Sequence, residues 1–250
     1  PNPSPGALVE CLQSTDIDLD LVEVLIAEKR VDNNFQDTEF GWTPLHYAAS
    51  VRNVEIMKSL VSAQVNKDAT CNNSNTPLHL AANANHLPAV KYLAANKCAL
   101  NAKNGNGWTA LAWAAARGHP AVVEFLLSVK ADIGVPDENG CTEAMWAARH
   151  GHTEIVKLLL ETGGFDTKAR DKNGLSLADH AQDYVEIRRA LLDIEAANSN
   201  LLAAVQRNDS VGVQQAPILR PRAPPRAVQR RPRGIDSKRR SSRGLRPEFE

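Results

Sequence analysis

One short motif recurs in this chain at a fixed interval, and it constrains the fold more than any other feature of the sequence. The copies are TPLHYAA from Thr43, TPLHLAA from Thr76, TALAWAA from Thr109 and TEAMWAA from Thr142. A constant period of about 33 residues is typical of one helical or hairpin unit stacked on copies of itself. The sequence therefore predicts an elongated repeat protein without a single central cleft.

The pattern inside each unit predicts two short helices. Thr43 suits an N-cap, and Pro44 suits the first helical position, where no backbone donor is needed. Gly151 follows Thr142 by nine residues and favours a left-handed end to the first helix. Ile155 and Leu159 then begin an apolar stripe at helical spacing. Two helices of this length cannot bury the stripe alone, so we expect the neighbouring repeat to cover it.

The motif resembles the ankyrin repeat, whose signature is T-P-L-H-x-A-A followed by G-H, seen here at Gly118-His119 and Gly151-His152, and by a leucine-rich second helix. The resemblance implies an all-α solenoid of stacked helix-turn-helix units joined by hairpin loops. It places repeats at 38–70, 71–103, 104–136 and 137–170, with a weaker fifth copy at 171–200. We expect residues 1–37 to form an N-terminal capping repeat and residues 201–214 to begin a further, incomplete repeat.

The composition changes abruptly near the C-terminus. Residues 211–250 hold 11 of the 29 basic residues and three acidic ones, a net charge of +8, so residues 1–210 carry −8. Residues 215–250 are rich in proline and arginine, which predicts a disordered tail. Its basic clusters could bind nucleic acid or anionic lipid or act as a nuclear address, and it also contains a P-x-x-P-x-R segment and an R-R-S-S kinase-type site. The alternative is a solvated tail without a ligand.

The cysteines and the apolar runs indicate a cellular compartment. Cys11, Cys71, Cys98 and Cys141 show no C-x-x-C pairing, which is typical of reduced thiols inside a cell. No signal peptide or run long enough to span a bilayer is visible. We expect a soluble cytoplasmic protein, with a nuclear location as the alternative. Because the chain starts at Pro1, we also expect a fragment or a processed product of a longer chain.

Catalytic signals are absent from the sequence. His46 and His79 lie in the motif, and His119 and His152 in the G-H turn, where the resemblance implies hydrogen bonds within and between repeats. Residues repeated at a fixed period form rows, whereas catalysis needs unlike groups in one pocket. The sequence lacks phosphate-binding glycine loops, H-E-x-x-H and G-x-S-x-G. We therefore predict a protein that is not an enzyme and that uses no cofactor or catalytic metal.

The resemblance also implies a binding face, because hairpin tips and first-helix ends form the concave side of an ankyrin stack. The residues that it predicts to contact a partner are Glu39, Phe40, Trp42, Asn73, Asn75, Asn106, Trp108, Arg117, Glu138, Arg149 and His150. Trp42 and Trp108 could instead serve mainly in packing. A second row, Tyr47, Leu80, Trp113 and Trp146, is interpreted as apolar packing between first helices.

These features predict a monomeric protein–protein interaction module, a scaffold or adaptor, that binds a protein partner through its concave face. One alternative is a regulatory segment of a larger enzyme or signalling protein. The other is binding of nucleic acid or an anionic surface through the arginine-rich tail.

Overall fold

The computed structural model describes residues 3–14, 17–28 and 31–206. Within these ranges the chain forms six helix pairs, and the one strand-like contact is an isolated bridge between Arg170 and Ser176. The first helices are α1 Ala7–Gln13, α3 Pro44–Ser50, α5 Pro77–Asn83, α7 Ala110–Ala116, α9 Glu143–Arg149 and α11 Leu177–His180. The second helices are α2 Leu19–Ala27, α4 Val54–Ser62, α6 Leu87–Ala95, α8 Pro120–Ser128, α10 Thr153–Thr162 and α12 Val185–Gln206.

The pairs stack in one row. Each first helix packs on the next first helix, from α1 through to α11, and each second helix packs on the next second helix. The expectation of an all-α solenoid is therefore confirmed. The helices α1 and α2 lie within residues 1–37, where the sequence analysis placed the capping repeat.

The helix starts follow from the threonines of the motif. Thr43 is the N-cap of α3, and its backbone N–H donates to Nδ1 of His46 over 3.2 Å, so cap and third residue satisfy each other. Pro44 occupies the first helical position. In the two later copies the threonine hydroxyl caps the helix by accepting a backbone N–H. Thr109, for example, accepts from the backbone of Ala112. The predicted helix starts are confirmed.

The core is continuous along the stack. One leucine position of the motif is buried in each of three repeats, and Met145 is buried at a neighbouring position in the fourth. The alanine pairs are fully buried, which lets adjacent first helices approach closely. From the predicted second-helix stripe, Ile155 and Leu159 are buried against neighbouring repeats. Burial of this apolar surface is the main source of stability in the row.

The hairpin tips are joined by a second row of contacts. The backbone N–H of Asn72 donates to the carbonyl of Phe40 over 3.0 Å, and Glu138 donates to Asn106 over 3.0 Å in the same way. Asp137 holds its own hairpin, because Oδ1 accepts from the backbone N–H groups of two residues within it. The tips are therefore held in register, which aligns the side chains that follow them.

Left-handed backbone positions recur at the turns. Gly107 and Gly140 have φ of 79° in the hairpins, and Ser74 takes the same position with φ of 56°. At the end of the first helix, Gly118 has φ of 75°, whereas Arg52 has φ of 62°. The left-handed conformation costs Arg52 more free energy than it costs a glycine, because of the side chain.

The C-terminal end departs from the regular unit. The helix α11 has four residues, and α12 has 22 residues and continues through residue 200, where the sequence analysis placed a boundary. The division of the chain into repeats otherwise stays a prediction. The predicted disordered tail at 215–250 and the end of the predicted incomplete repeat lie outside the described residues.

Candidate partner-binding face

The motif histidines are structural. Nε2 of His46 lies 2.9 Å from the carbonyl oxygen of Asn75 in the next repeat, and Nε2 of His79 lies 3.0 Å from that of Trp108. Because Nδ1 of each ring accepts a backbone N–H, Nε2 must carry the hydrogen, and each ring bonds across the repeat boundary as a neutral imidazole. Burial lowers the pKa of both rings, which keeps them neutral.

The turn histidines make the reverse contact. Nε2 of His119 lies 3.0 Å from the carbonyl oxygen of Asn83, and Nε2 of His152 lies 3.0 Å from that of Ala116, each in the preceding repeat. The structural interpretation of all four histidines is confirmed. All four rings therefore join neighbouring repeats.

Three indoles lie together at repeats three and four. The ring centroid of Trp108 is 4.9 Å from that of Trp113 and 4.7 Å from that of Trp146. We call Trp108, Trp113 and Trp146 the tryptophan cluster; all three are half-buried. Aromatic pairs at this separation contribute about 0.5–1.5 kcal/mol beyond their area burial. The cluster is therefore both part of the packing and part of the surface.

Cationic side chains cover the edge of the tryptophan cluster. The guanidinium of Arg117 lies 5.7 Å from the ring centroid of Trp113, and that of Arg149 lies 5.4 Å from Trp146. Both arginines are exposed, and neither forms a salt bridge with any described residue. The guanidinium donors are held over the rings by cation–π attraction and stay free to bind a ligand.

His150 lies next to Arg149 at this positive edge. Its ring stacks on Trp146, with centroids 6.1 Å apart and planes 14° apart. Partial removal from water, followed by the charges of His152, Arg149 and Arg117, lowers its pKa. The exposed side of repeats three and four thus combines flat aromatic surface with two unpaired positive charges, a composition typical of interface anchors.

The comparisons with known proteins agree with this architecture. A sequence description of three consecutive ankyrin repeats matches four overlapping segments, residues 8–104, 63–137, 85–173 and 129–203. These matches cover more than half of the chain. The chain belongs to the ankyrin repeat family. Ankyrin repeats are generally protein–protein interaction modules and are typically not enzymes. A search of curated proteins found no match.

A second aromatic group lies at the first repeat of this ankyrin stack. Phe40 is 48% exposed, and its ring centroid is 5.7 Å from that of the half-buried Trp42. Trp42 packs edge-on against Tyr47 at 5.0 Å. The hydroxyl of Tyr47 donates to Oδ2 of Asp37 over 3.0 Å and accepts from the amide of Gln13 over 2.8 Å. Tyr47 therefore has the packing role that was predicted for its row.

The remaining predicted binding residues divide by burial. Asn75 is half-buried and structural, because its Oδ1 accepts from the side chain of Asn104 over 2.8 Å and its carbonyl accepts from His46. The other polar residues of the predicted set have exposed side chains: Glu39, Asn73, Asn106 and Glu138. Partner contact by this set stays a prediction.

The sequence analysis did not select every member of the site. It assigned Trp113 and Trp146 to packing, yet both reach the surface beside Arg117 and Arg149. The available signal was spacing, since each arginine follows its tryptophan by three or four residues and so shares its helix face. It also missed Asp137, whose Oδ2 accepts from the indoles of Trp108 and Trp146.

The second helices of the ankyrin stack form a different surface. A shallow open groove lies between α8 and α10, and its lining includes Pro120, Glu124, Lys157 and Glu161 but no member of the tryptophan cluster. This surface offers matched control positions for the concave face. None of the helices in the described ranges combines the length and apolar character needed to cross a bilayer.

Proposed function

We propose that this chain is a scaffold or adaptor that binds a protein partner through the concave face of repeats three and four. The observation that carries the proposal is the tryptophan cluster, with the guanidiniums of Arg117 and Arg149 above it and without a carboxylate partner for either. Tryptophan and arginine side chains at such positions often contribute about 2 kcal/mol or more to an interface, as measured by truncation.

The charges indicate the chemistry of the partner. Guanidinium groups form paired hydrogen bonds with carboxylates, and these are stronger on an aromatic surface that excludes water. The positive edge formed by Arg117 and Arg149 therefore favours a segment that carries acidic side chains beside an apolar one. We infer that the partner presents such a segment to repeats three and four.

Charge reversal tests this proposal. The double variant Arg117→Glu and Arg149→Glu removes the positive edge, while Lys157→Glu makes a like change on the α8–α10 surface. Proteins captured from a cell lysate by the full chain are identified by mass spectrometry. We expect the double variant to lose the captured partner and Lys157→Glu to keep it. An unchanged set of captured proteins with the double variant contradicts the proposal.

Two substitutions at Trp108 separate packing from recognition. Trp108→Phe keeps an aromatic ring but loses the hydrogen bond to Asp137, whereas Trp108→Ala loses both. If the ring binds the partner, Trp108→Phe retains most of the affinity and Trp108→Ala loses it. Unchanged affinity in Trp108→Ala together with a large loss of thermal stability assigns this side chain to packing alone. Trp42→Ala makes the same test at repeat one.

The tail supports a second proposal, nucleic-acid or anionic-lipid binding by residues 215–250. Its support is the net charge of +8 over residues 211–250. Binding of this kind falls steeply with ionic strength because counterions are released. We expect affinity for duplex DNA or anionic vesicles to vanish when residues 215–250 are deleted. Recognition of a protein by the concave face should survive the same deletion.

A further inference from the structure

Three side chains of different kinds meet where repeat four contacts repeat five. Cys141 comes from the hairpin of repeat four, Asp171 begins the hairpin of repeat five, and His180 ends α11. Nε2 of His180 lies 3.1 Å from Oδ2 of Asp171, and Sγ of Cys141 lies 3.7 Å from the same oxygen. We propose that Cys141, Asp171 and His180 bind a zinc-type transition-metal ion that links the two repeats.

The spacing of the three atoms fits one ion. All three ligand atoms lie within 4.8 Å of one another. A tetrahedral zinc ion with bonds of about 2.0–2.3 Å to sulfur, nitrogen and oxygen separates its ligand atoms by roughly 3.5 Å. The two distances to Oδ2, 3.1 and 3.7 Å, lie on either side of that value. Small side-chain movements suffice to bring the atoms around one ion, with a solvent molecule as the fourth ligand.

The surroundings orient the ligands. Cys141 is 5% exposed and Asp171 is 7% exposed. Oδ1 of Asp171 accepts the backbone N–H groups of Asn173 and Leu175 over 2.8 and 2.9 Å, which leaves Oδ2 directed at the other two residues. Outer hydrogen bonds of this kind fix ligand orientation in metal sites. The hydrogen bond from the N–H of Leu175 is also the main cause that lowers the pKa of Asp171, so the carboxylate is ionised.

Metal binding requires the thiolate of Cys141. Burial first, and then the charges of Asp137 and Asp171, raise the pKa of this thiol to about 11. In the proposed step the ion binds to sulfur, and the thiol proton leaves to the solvent. The imidazole of His180 binds through Nε2 in its neutral form, so the hydrogen that Nε2 directs at the carboxylate is given up to solvent and Nδ1 takes one in its place. No oxidation or reduction takes place.

The other repeat contacts provide an internal comparison. Each contact between repeats has three equivalent positions. The first is the residue before the motif threonine, the second is the first hairpin residue of the next repeat, and the third lies nine residues after the second. At the contact between repeats three and four, Asp137 accepts two indole N–H groups, and an indole is not a metal ligand. In the described stack, the sets before repeat five are Trp42, Cys71 and Leu80; Asn75, Asn104 and Trp113; and Trp108, Asp137 and Trp146.

None of those earlier sets contains three metal-ligating side chains. At repeat five all three positions carry one, namely Cys141, Asp171 and His180. The end of the stack also has the shortest first helix, since α11 has four residues. A metal bound there would hold this short repeat on α9. Its free energy of binding would add directly to the stability of the C-terminal end.

Cobalt(II) gives a direct test, because a thiolate ligand produces a sulfur-to-cobalt charge-transfer band. We expect titration of the full chain with cobalt(II) to give this band with one ion per chain, and zinc to displace it. Cys141→Ser should abolish the band. His180→Gln removes a direct ligand, so it should weaken cobalt affinity by more than the roughly 10–100-fold that the loss of an outer hydrogen-bond partner costs. The control Cys98→Ser changes another buried cysteine, whose pKa burial also raises to about 11, and should leave the band unchanged.

A chain without the charge-transfer band, or with the same band in Cys141→Ser, overturns the proposal. Circular dichroism checks that each variant is folded. A second measurement does not depend on the thiolate signal. Zinc should raise the melting temperature of the unsubstituted chain and of Cys98→Ser, but not that of Cys141→Ser or His180→Gln. An equal rise in all four chains also overturns the proposal. Neither result bears on partner binding at the tryptophan cluster.

Discussion

Trp108 donates its indole hydrogen to Oδ2 of Asp137 in the following repeat, with 3.1 Å between the nitrogen and the oxygen. The same oxygen accepts from Trp146 over 2.9 Å, and Asp137 is 8% exposed. One nearly buried carboxylate therefore positions two of the three indoles on the candidate binding face. The row of repeats creates the surface, and this contact fixes its geometry.

Replacing this carboxylate by an amide tests the contact. In Asp137→Asn one of the two oxygens becomes an amide donor, which would face either the two indole N–H groups or the two backbone N–H groups of the hairpin. We expect a loss of about 1–3 kcal/mol in the free energy of unfolding, the cost of an unsatisfied buried donor. Urea unfolding followed by tryptophan fluorescence measures it.

The preceding repeat provides the reciprocal control. Asn104 takes the equivalent position and donates its amide to Oδ1 of Asn75 over 2.8 Å. In Asn104→Asp a carboxylate would face that oxygen without a hydrogen, so we expect a similar loss of stability. If both exchanges leave stability unchanged, the hairpin side chains do not hold the repeats together in the way described.

The buried histidines predict a dependence of stability on pH. Burial lowers the pKa of His46 and His79 in the folded state below the value of about 6.5 for an unfolded chain. Below that pH the unfolded state binds more protons, so the free energy of unfolding falls as the pH falls towards the folded pKa values. The slope approaches about 1.4 kcal/mol per pH unit for each histidine.

Denaturant unfolding at a series of pH values from 7 downwards measures this slope. The variants His46→Gln and His79→Gln should be less stable at pH 7 and should each show a flatter pH dependence. Asn73→Gln, a change at an exposed residue that does not titrate, serves as the control. A pH dependence that is the same in all variants would mean that other groups cause the loss.

The left-handed hairpin position predicts one stabilising change. Ser74 has φ of 56° where Gly107 has φ of 79°. Removing the side chain relieves the conformational cost and adds some chain entropy to the unfolded state, so we expect Ser74→Gly to gain about 0.5–1 kcal/mol. Gly107→Ser should be destabilising, because its Cβ would lie 2.9 Å from the backbone nitrogen of Glu138. Melting temperatures of the two variants should change in opposite directions.

Much of the fold could be predicted because its determinants are local. The N-cap Thr43, the turn at Gly151 and the periodic leucines act within one repeat, and the constant repeat period extends each observation along the chain. Local signals of this kind do not depend on contacts that the sequence leaves unstated. The hydrogen bonds of His46 were implied by the resemblance to ankyrin repeats, since the one to Asn75 crosses to the next repeat.

The finer features of the site depend on the contact between repeats. Asp137 meets Trp108 and Trp146 because three different places of neighbouring repeats come together at their contact, and a periodic pattern aligns equivalent residues without stating which places meet. Cys141 and His180 come together for the same reason, at positions that do not differ by the repeat length. The place of Trp108 also required coordinates, which show an indole that is half-buried and hydrogen-bonded to Asp137, with part of its surface exposed.

Hydrogen exchange of the free chain, measured by mass spectrometry, tests the central claim most directly. In a row of units stabilised by neighbours, terminal units open first and central ones last. We therefore expect the amides of α7 and α9, which present the tryptophan cluster, to exchange most slowly, and those of α1, α2 and α11 to exchange fastest. Equal protection along the whole stack, or fastest exchange in α7 and α9, would contradict the account.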